Sequence, residues 1–92
     1  MSTLPDTGKP RLAAKARLKW DEVRQQPLLL FPEGVLMLNP TAHEVVALCD
    51  GQRTIGEIVA DLRKKFGNEG VDADVRELLA RLAGKGLLVI AD

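Results

Sequence analysis

Two four-residue apolar runs, Leu28-Leu29-Leu30-Phe31 and Val35-Leu36-Met37-Leu38, are separated only by Pro32-Glu33-Gly34. This pairing constrains the chain more than any other feature. Runs of this length suit strands, and a Pro/Gly turn between two of them predicts a β-hairpin. An antiparallel sheet with one wet face alternates apolar and polar positions, and neither run does. Either both faces of the hairpin need cover, or one face and its edge await a guest. Upstream, from Arg17, the residues Leu18, Trp20 and Val23 alternate with charged ones, the period of a half-buried strand. Arg24-Gln25-Gln26-Pro27 then breaks the pattern. The expectation is a three-stranded antiparallel meander.

Helical signals follow. Asn39-Pro40 reads as an N-cap and first helical residue, and Ala42, Val45, Val46 and Cys49 recur at helical spacing before Asp50-Gly51 closes the segment. Thr54-Ile55-Gly56-Glu57 is a capping box opening a second helix with the stripe Ile55, Ile58, Val59, Leu62 and Phe66. Arg63, Lys64 and Lys65 suit its C-terminal dipole, and Gly67-Asn68 ends it. A third helix, capped by Asp72 or a neighbour, carries Val75, Leu78, Leu79, Leu82 and Ala83 and stops at Gly84 and Gly86. Leu87-Leu88-Val89-Ile90 is a short final strand or extended piece. Residues 1–11, with Pro5, Gly8 and Pro10 among polar neighbours, show no period and read as a loose, disordered tail, leaving 12–92 as the domain. The predicted class is α+β and winged-helix-like: a three-stranded meander, a three-helix bundle and a short C-terminal extended segment.

Ninety-two residues are enough for one small domain. Thirteen Lys and Arg balance thirteen Asp and Glu, which argues against a protein whose work is to neutralise phosphate or coat an anionic membrane. The lone Cys49 excludes an internal disulfide and a cysteine-based zinc site, and the lone His43 excludes any two-histidine motif. The first residues have neither a basic nor an apolar signal region, and no apolar run is long enough to span a membrane. The expectation is a reduced, cytoplasmic protein.

No catalytic constellation is present. Ser2 lies in the tail, Cys49 sits on an apolar helix stripe and His43 in a helix's first turn, the places of a tail residue, a core cysteine and a surface histidine. There is no GxGxxG, Walker or HExxH pattern, so neither cofactor nor metal is expected. A nucleic-acid-binding winged helix would need Arg, Lys, Asn or Gln at the start of its recognition helix. The third helix begins instead with Glu69, Asp72 and Asp74; Arg53, Lys64 and Lys65 offer only a weaker alternative surface. A binding module remains. The apolar strand 35–38 at a sheet edge is suited to accept an extended peptide as an added strand, with main-chain hydrogen bonds giving affinity and side-chain pockets giving selectivity. Such an edge otherwise invites aggregation.

The residues also resemble a known family. Arg17-Leu18-Lys19-Trp20-Asp21, Phe31-Pro32-Glu33-Gly34, Leu38-Asn39-Pro40-Thr41-Ala42, Leu48-Cys49-Asp50-Gly51, Arg53-Thr54, Glu57-Ile58-Val59, Asp74-Val75 and Lys85-Gly86-Leu87-Leu88 stand in the order seen in the PqqD family, over roughly residues 12–90. These are peptide chaperones of pyrroloquinoline quinone (PQQ) biosynthesis, of the type called RiPP recognition elements. Phe31 stands where members often have Tyr, Leu87 where Trp is frequent and Leu78 where Phe is common. The resemblance implies a non-catalytic adaptor that binds the ribosomal precursor peptide PqqA and presents it to the radical S-adenosylmethionine enzyme PqqE. The expectation is also a monomer or weak dimer with no nucleic-acid or membrane partner. Carried over by position, the docking cleft takes Val35, Leu36, Met37 and Leu38 from the strand and Val75, Leu78, Leu79 and Leu82 from the third helix.

Overall fold

A computed structural model describes residues 4–67 and 70–91; Ser2, Asn68 and Glu69 lie outside the described residues. In chain order it contains β1 (Lys9–Leu12), β2 (Arg17–Asp21), β3 (Gln26–Phe31), β4 (Gly34–Met37), α1 (Pro40–Ala47), α2 (Ile55–Phe66), α3 (Val71–Gly84) and β5 (Leu88–Ala91). The expected meander is present as an antiparallel sheet in the order β2-β3-β4, and β1 pairs with β5 in a second, two-stranded sheet.

The meander's register sorts its side chains. Leu18 stands opposite Leu29, and Leu29 opposite Leu36. Directly paired residues share a face, and all three belong to or pack on the main core. That core joins Leu29 and Leu38 to Val45 and Val46 of α1, Ile55, Ile58 and Leu62 of α2, and Val75, Leu79 and Leu82 of α3. The first strand is less buried than its alternation suggests. β2 ends at Asp21, Trp20 is 55% exposed and Val23 lies fully in solvent, in the turn after it. Gln26 and Pro27, expected in the break, are the first residues of β3.

The helix starts follow local chemistry. The Ala42 N–H donates to Asn39 Oδ1 at 2.7 Å, with Pro40 as first helical residue. At α2 the capping box is complete: the Glu57 N–H donates to Thr54 Oγ1 at 3.1 Å, and the Thr54 N–H to Glu57 Oε1 at 2.8 Å. Gly67, at φ +61°, closes α2, where the left-handed region favours glycine. Three expected helix ends are placed differently. α1 stops at Ala47, and Asp50-Gly51 forms a separate turn in which Asp50 Oδ1 accepts the Gln52 and Arg53 N–H groups. Asp72 lies within α3, whose N-cap is Gly70; its carboxylate accepts from Arg63 (2.8 Å) and Arg76 (2.6 Å) instead of capping. Gly84 is still helical, and the stop is at Gly86, with the paired bonds Gly86 N–H to Ala83 O and Leu87 N–H to Leu82 O at 3.0 Å each. That 5→2 and 6→1 pair is the Schellman arrangement.

The largest difference is at the N-terminus. The loose tail expected over residues 1–11 is, from Leu4 onward, a strap that closes the fold. Leu4 packs against the core and Pro10 is fully buried. Lys9 to Leu12 pair with Ala91 to Leu88. The strap's carbonyls also satisfy donors elsewhere: Asp6 O accepts from Gly56 N–H (3.1 Å), Gly8 O from Ile55 N–H (2.9 Å) and Pro10 O from Gly51 N–H (2.9 Å). Ile55 and Gly56 open α2, so two of the N–H groups a helix leaves without internal partners are met by this segment. Arg76 of α3 holds the Asp6 carboxylate as well as Asp72.

Candidate functional site

β4 is an edge strand of the meander. The Leu38 N–H donates to Pro27 O at 3.0 Å, so that residue's polar groups point inward to β3. In an antiparallel ladder this direction alternates along the strand. Leu36, opposite Leu29, therefore also bonds inward, whereas Val35 and Met37 aim their N–H and C=O groups at the free edge. The side chains of Val35 and Met37 stand on the opposite face from Leu36 and are 51% and 38% exposed. Two residues thus carry both an unused hydrogen-bonding edge and open apolar surface. A strand laid beside β4 would pair with just these groups, each net hydrogen bond contributing about 0.5–1.5 kcal/mol.

The other residues assigned to the cleft divide sharply. Leu36 and Leu78 are half-buried against the core. Leu38 (2%), Val75, Leu79 and Leu82 (each 0%) lie within it and present no surface to a ligand. On α3, Leu78 alone among the four assigned residues lines an open cavity, about 290 Å³ between α1 and α3, together with Asn39, Ala42, Asp74, Glu77 and Arg81. Sequence reasoning missed this polar lining because a helix's apolar stripe draws attention to its core positions. The signal was there: Asp74 and Arg81 sit four residues before and three after Leu78, and Glu77 lies three after Asp74 and four before Arg81, so all share one side of the helix. A second hollow of about 600 Å³ lies where Trp20 and Pro27 face Pro40 and His43.

Cys49 is not set up as a nucleophile. Burial, helped by the neighbouring Asp50, pushes the Cys49 thiol up to about 12, and its Sγ donates to Val45 O at 3.2 Å. Such a thiol is protonated at neutral pH and a poor nucleophile. His43 is half-buried at the second hollow. Among the described residues, no cluster of three His, Cys, Asp or Glu side chains is arranged to hold a metal ion, and no helix is long and apolar enough to cross a membrane.

The sequence model of the family described as Coenzyme PQQ synthesis protein D (PqqD) matches residues 28–88, from the first buried leucines of β3 to the start of β5. The chain belongs to the PqqD family. It is 40% identical to a protein named PqqA binding protein from Methylococcus capsulatus (strain Bath), over 94% of this chain and 91% of that one. It is also 40% identical to the PqqA binding protein of Xanthomonas oryzae pv. oryzae, over 96% and 98% of the two chains. Among solved structures, it resembles the solution NMR structure of the PqqD truncation of Methylobacterium extorquens PqqCD, described as a functional, stand-alone RiPP recognition element. The TM-score is 0.73 and the identity 36%, covering 87% of both chains. The α+β, winged-helix-like class expected from the sequence is therefore the fold of this PqqD-family member.

Proposed function

We propose that this chain is a peptide-binding adaptor of PQQ biosynthesis that receives the precursor peptide PqqA as a strand added to β4 and delivers it to the radical S-adenosylmethionine enzyme PqqE, with no chemistry of its own. One observation carries the reading: at Val35 and Met37, free main-chain groups and exposed apolar side chains coincide on an edge strand. The relatives named PqqA binding proteins support the choice of peptide, and the buried thiol supports the absence of catalysis. In this reading the contact set narrows to Val35, Leu36 and Met37 with Leu78. Leu38, Val75, Leu79 and Leu82 hold those residues in place from inside the core.

Titration of isotopically labelled protein with PqqA, followed by backbone amide shifts, tests it. Shifts should concentrate at 35–38 and around Leu78, and saturate. Met37→Asp places a charge where the added strand would bury apolar surface, so PqqA affinity should fall about tenfold or more, with folding stability nearly unchanged. Normal binding by that variant would move the site away from β4. The absence of any shift at high PqqA concentration would end the adaptor reading.

A further inference from the structure

The same register that turns Leu18, Leu29 and Leu36 inward builds a second, outward face. Arg17 stands opposite Leu30 and Leu30 opposite Val35; Lys19 stands opposite Leu28 and Leu28 opposite Met37. The result is two parallel rows, each running from a cation on β2 through a leucine on β3 to an exposed aliphatic on β4. Leu28 and Leu30 take no part in the main core; Leu28 is buried within this face and Leu30 half-buried, so the open apolar surface of the rows is chiefly that of Val35 and Met37. The cations are uncommitted: among the described residues neither Arg17 nor Lys19 makes an ion pair, whereas Lys15 is held by Glu33 at 3.6 Å. The acid that shares this face, Asp21, is paired with Arg24 at 3.0 Å. The face is thus an apolar strip with net positive charge along one side and the free β4 edge along the other.

A strand added at β4 lengthens both rows by one side chain each, because side chains of directly paired residues project from the same face. Peptide and protein would then present one continuous surface. We propose that this outward face, completed by the outward side chains of the bound peptide, is the docking surface for a protein partner that is apolar at its centre and acidic where it covers Arg17 and Lys19; in the adaptor reading, on which this rests, that partner is the modifying enzyme. Charge complementarity selects the acidic partner, since unpaired cations beside an apolar strip are best matched by carboxylates and repel a like-charged surface. Continuity with the β4 edge makes the two binding events interdependent. A partner that touches both peptide and protein binds more tightly once the peptide is present, and the peptide gains by the same factor.

Calorimetric titration of PqqE into the full chain, with and without saturating PqqA, reads this directly. PqqE should bind about tenfold more tightly with the peptide in place. Combining Arg17→Glu with Lys19→Glu should weaken PqqE binding about tenfold at physiological salt and leave PqqA affinity within about twofold. The conservative pair Arg17→Lys and Lys19→Arg should retain PqqE binding, which separates charge from any folding defect. In the parent protein, PqqE affinity should fall as salt rises. Unchanged PqqE affinity in the charge-reversed variant, or an affinity indifferent to salt, would overturn the proposal. So would a dimer of this chain in sedimentation that the same reversal abolishes, since the face would then belong to a second copy. If PqqA binds and PqqE ignores Arg17 and Lys19, only the docking face fails. If PqqA itself does not bind, the adaptor reading fails and takes the docking face with it.

Discussion

Two runs of four apolar residues, 35–38 and 87–90, read alike in the sequence and meet opposite fates in the fold. The C-terminal run is closed on its inner face and along one edge: Leu87 (0%) and Leu88 (5%) are buried and β5 is paired with β1, with Val89 alone turned outward. The hairpin run is left open, with Val35 and Met37 exposed and the β4 edge free. The difference lies in what the chain supplies as cover. For β5 it supplies a strap from the other terminus, whereas among the described residues no strand covers the outer edge of β4. An apolar run is therefore a demand for burial that the sequence states without naming the partner. Where the chain itself does not answer, a second molecule is the natural candidate.

Truncation should separate the two ends most strongly. Leu87→Ala removes a fully buried side chain beneath the Schellman turn and should lower unfolding stability by about 2–5 kcal/mol in urea. Val35→Ala, at the open end, should stay within about 0.5 kcal/mol. Similar losses at the two positions would mean that β4 is covered in solution and the contrast is false.

Next comes the strap itself. A Cβ added at Gly8 would lie 2.6 Å from Ile90 Cγ2 and 3.2 Å from Pro5 O. Gly8→Ala forces Ile90 or the strap to shift and should cost about 1–3 kcal/mol, measured by the same denaturation, with PqqA affinity per folded molecule unchanged. A variant that keeps full stability would show that the strap adjusts freely and is not the closure described above.

The strap is also where the sequence was least legible, and the reason is physical. The β1 segment Lys-Pro-Arg-Leu finds its partner at the far end of the chain, so no local period reveals it, and Pro5, Gly8 and Pro10 carry the signature of a turn-rich tail. Elements set by neighbouring residues were readable: the Asn39-Pro40 start, the capping box at Thr54 and the hairpin about Pro32-Glu33 all stand as expected. The site was half legible. The strand was found from its excess apolarity, and period two then separates Val35 and Met37 from Leu36. On α3, Val75, Leu78, Leu79 and Leu82 share one apolar stripe, and only tertiary packing shows that Leu78 alone reaches a cavity.

A smaller effect is expected at the cap that works beside the strap. The first N–H groups of α2 are met twice over, by strap carbonyls at Ile55 and Gly56 and by Thr54 Oγ1 at Glu57. Thr54→Ala removes only the second and should cost ~1 kcal/mol in thermal or urea unfolding. A loss several times larger would show that strap and cap are cooperative, so that opening one releases the other.

The smallest and most discriminating effect concerns acid. The Arg76 guanidinium holds the Asp6 carboxyl below its ordinary range, and Arg24, together with its own backbone N–H, does the same for Asp21 in the meander. A carboxyl whose folded pKa lies below its unfolded one favours folding above the unfolded value, and that contribution is lost as pH falls through the folded value. Both ends should therefore weaken below about pH 4, by only a small amount at Asp6, which is exposed to solvent screening. Asp6→Asn and Asp21→Asn should each flatten the fall in Tm between about pH 4 and pH 2. Hydrogen exchange tells them apart. Asp6 anchors the strap whose carbonyls bind the Ile55 and Gly56 amides, so Asp6→Asn should speed exchange at those two amides through local opening. Asp21→Asn should leave them at their parent rates, since Asp21 holds only its own turn through Val23 and Arg24. Equal acceleration in both variants would mean that the two ends open as one cooperative unit, and the closed end would then owe its protection to the whole fold rather than to the strap.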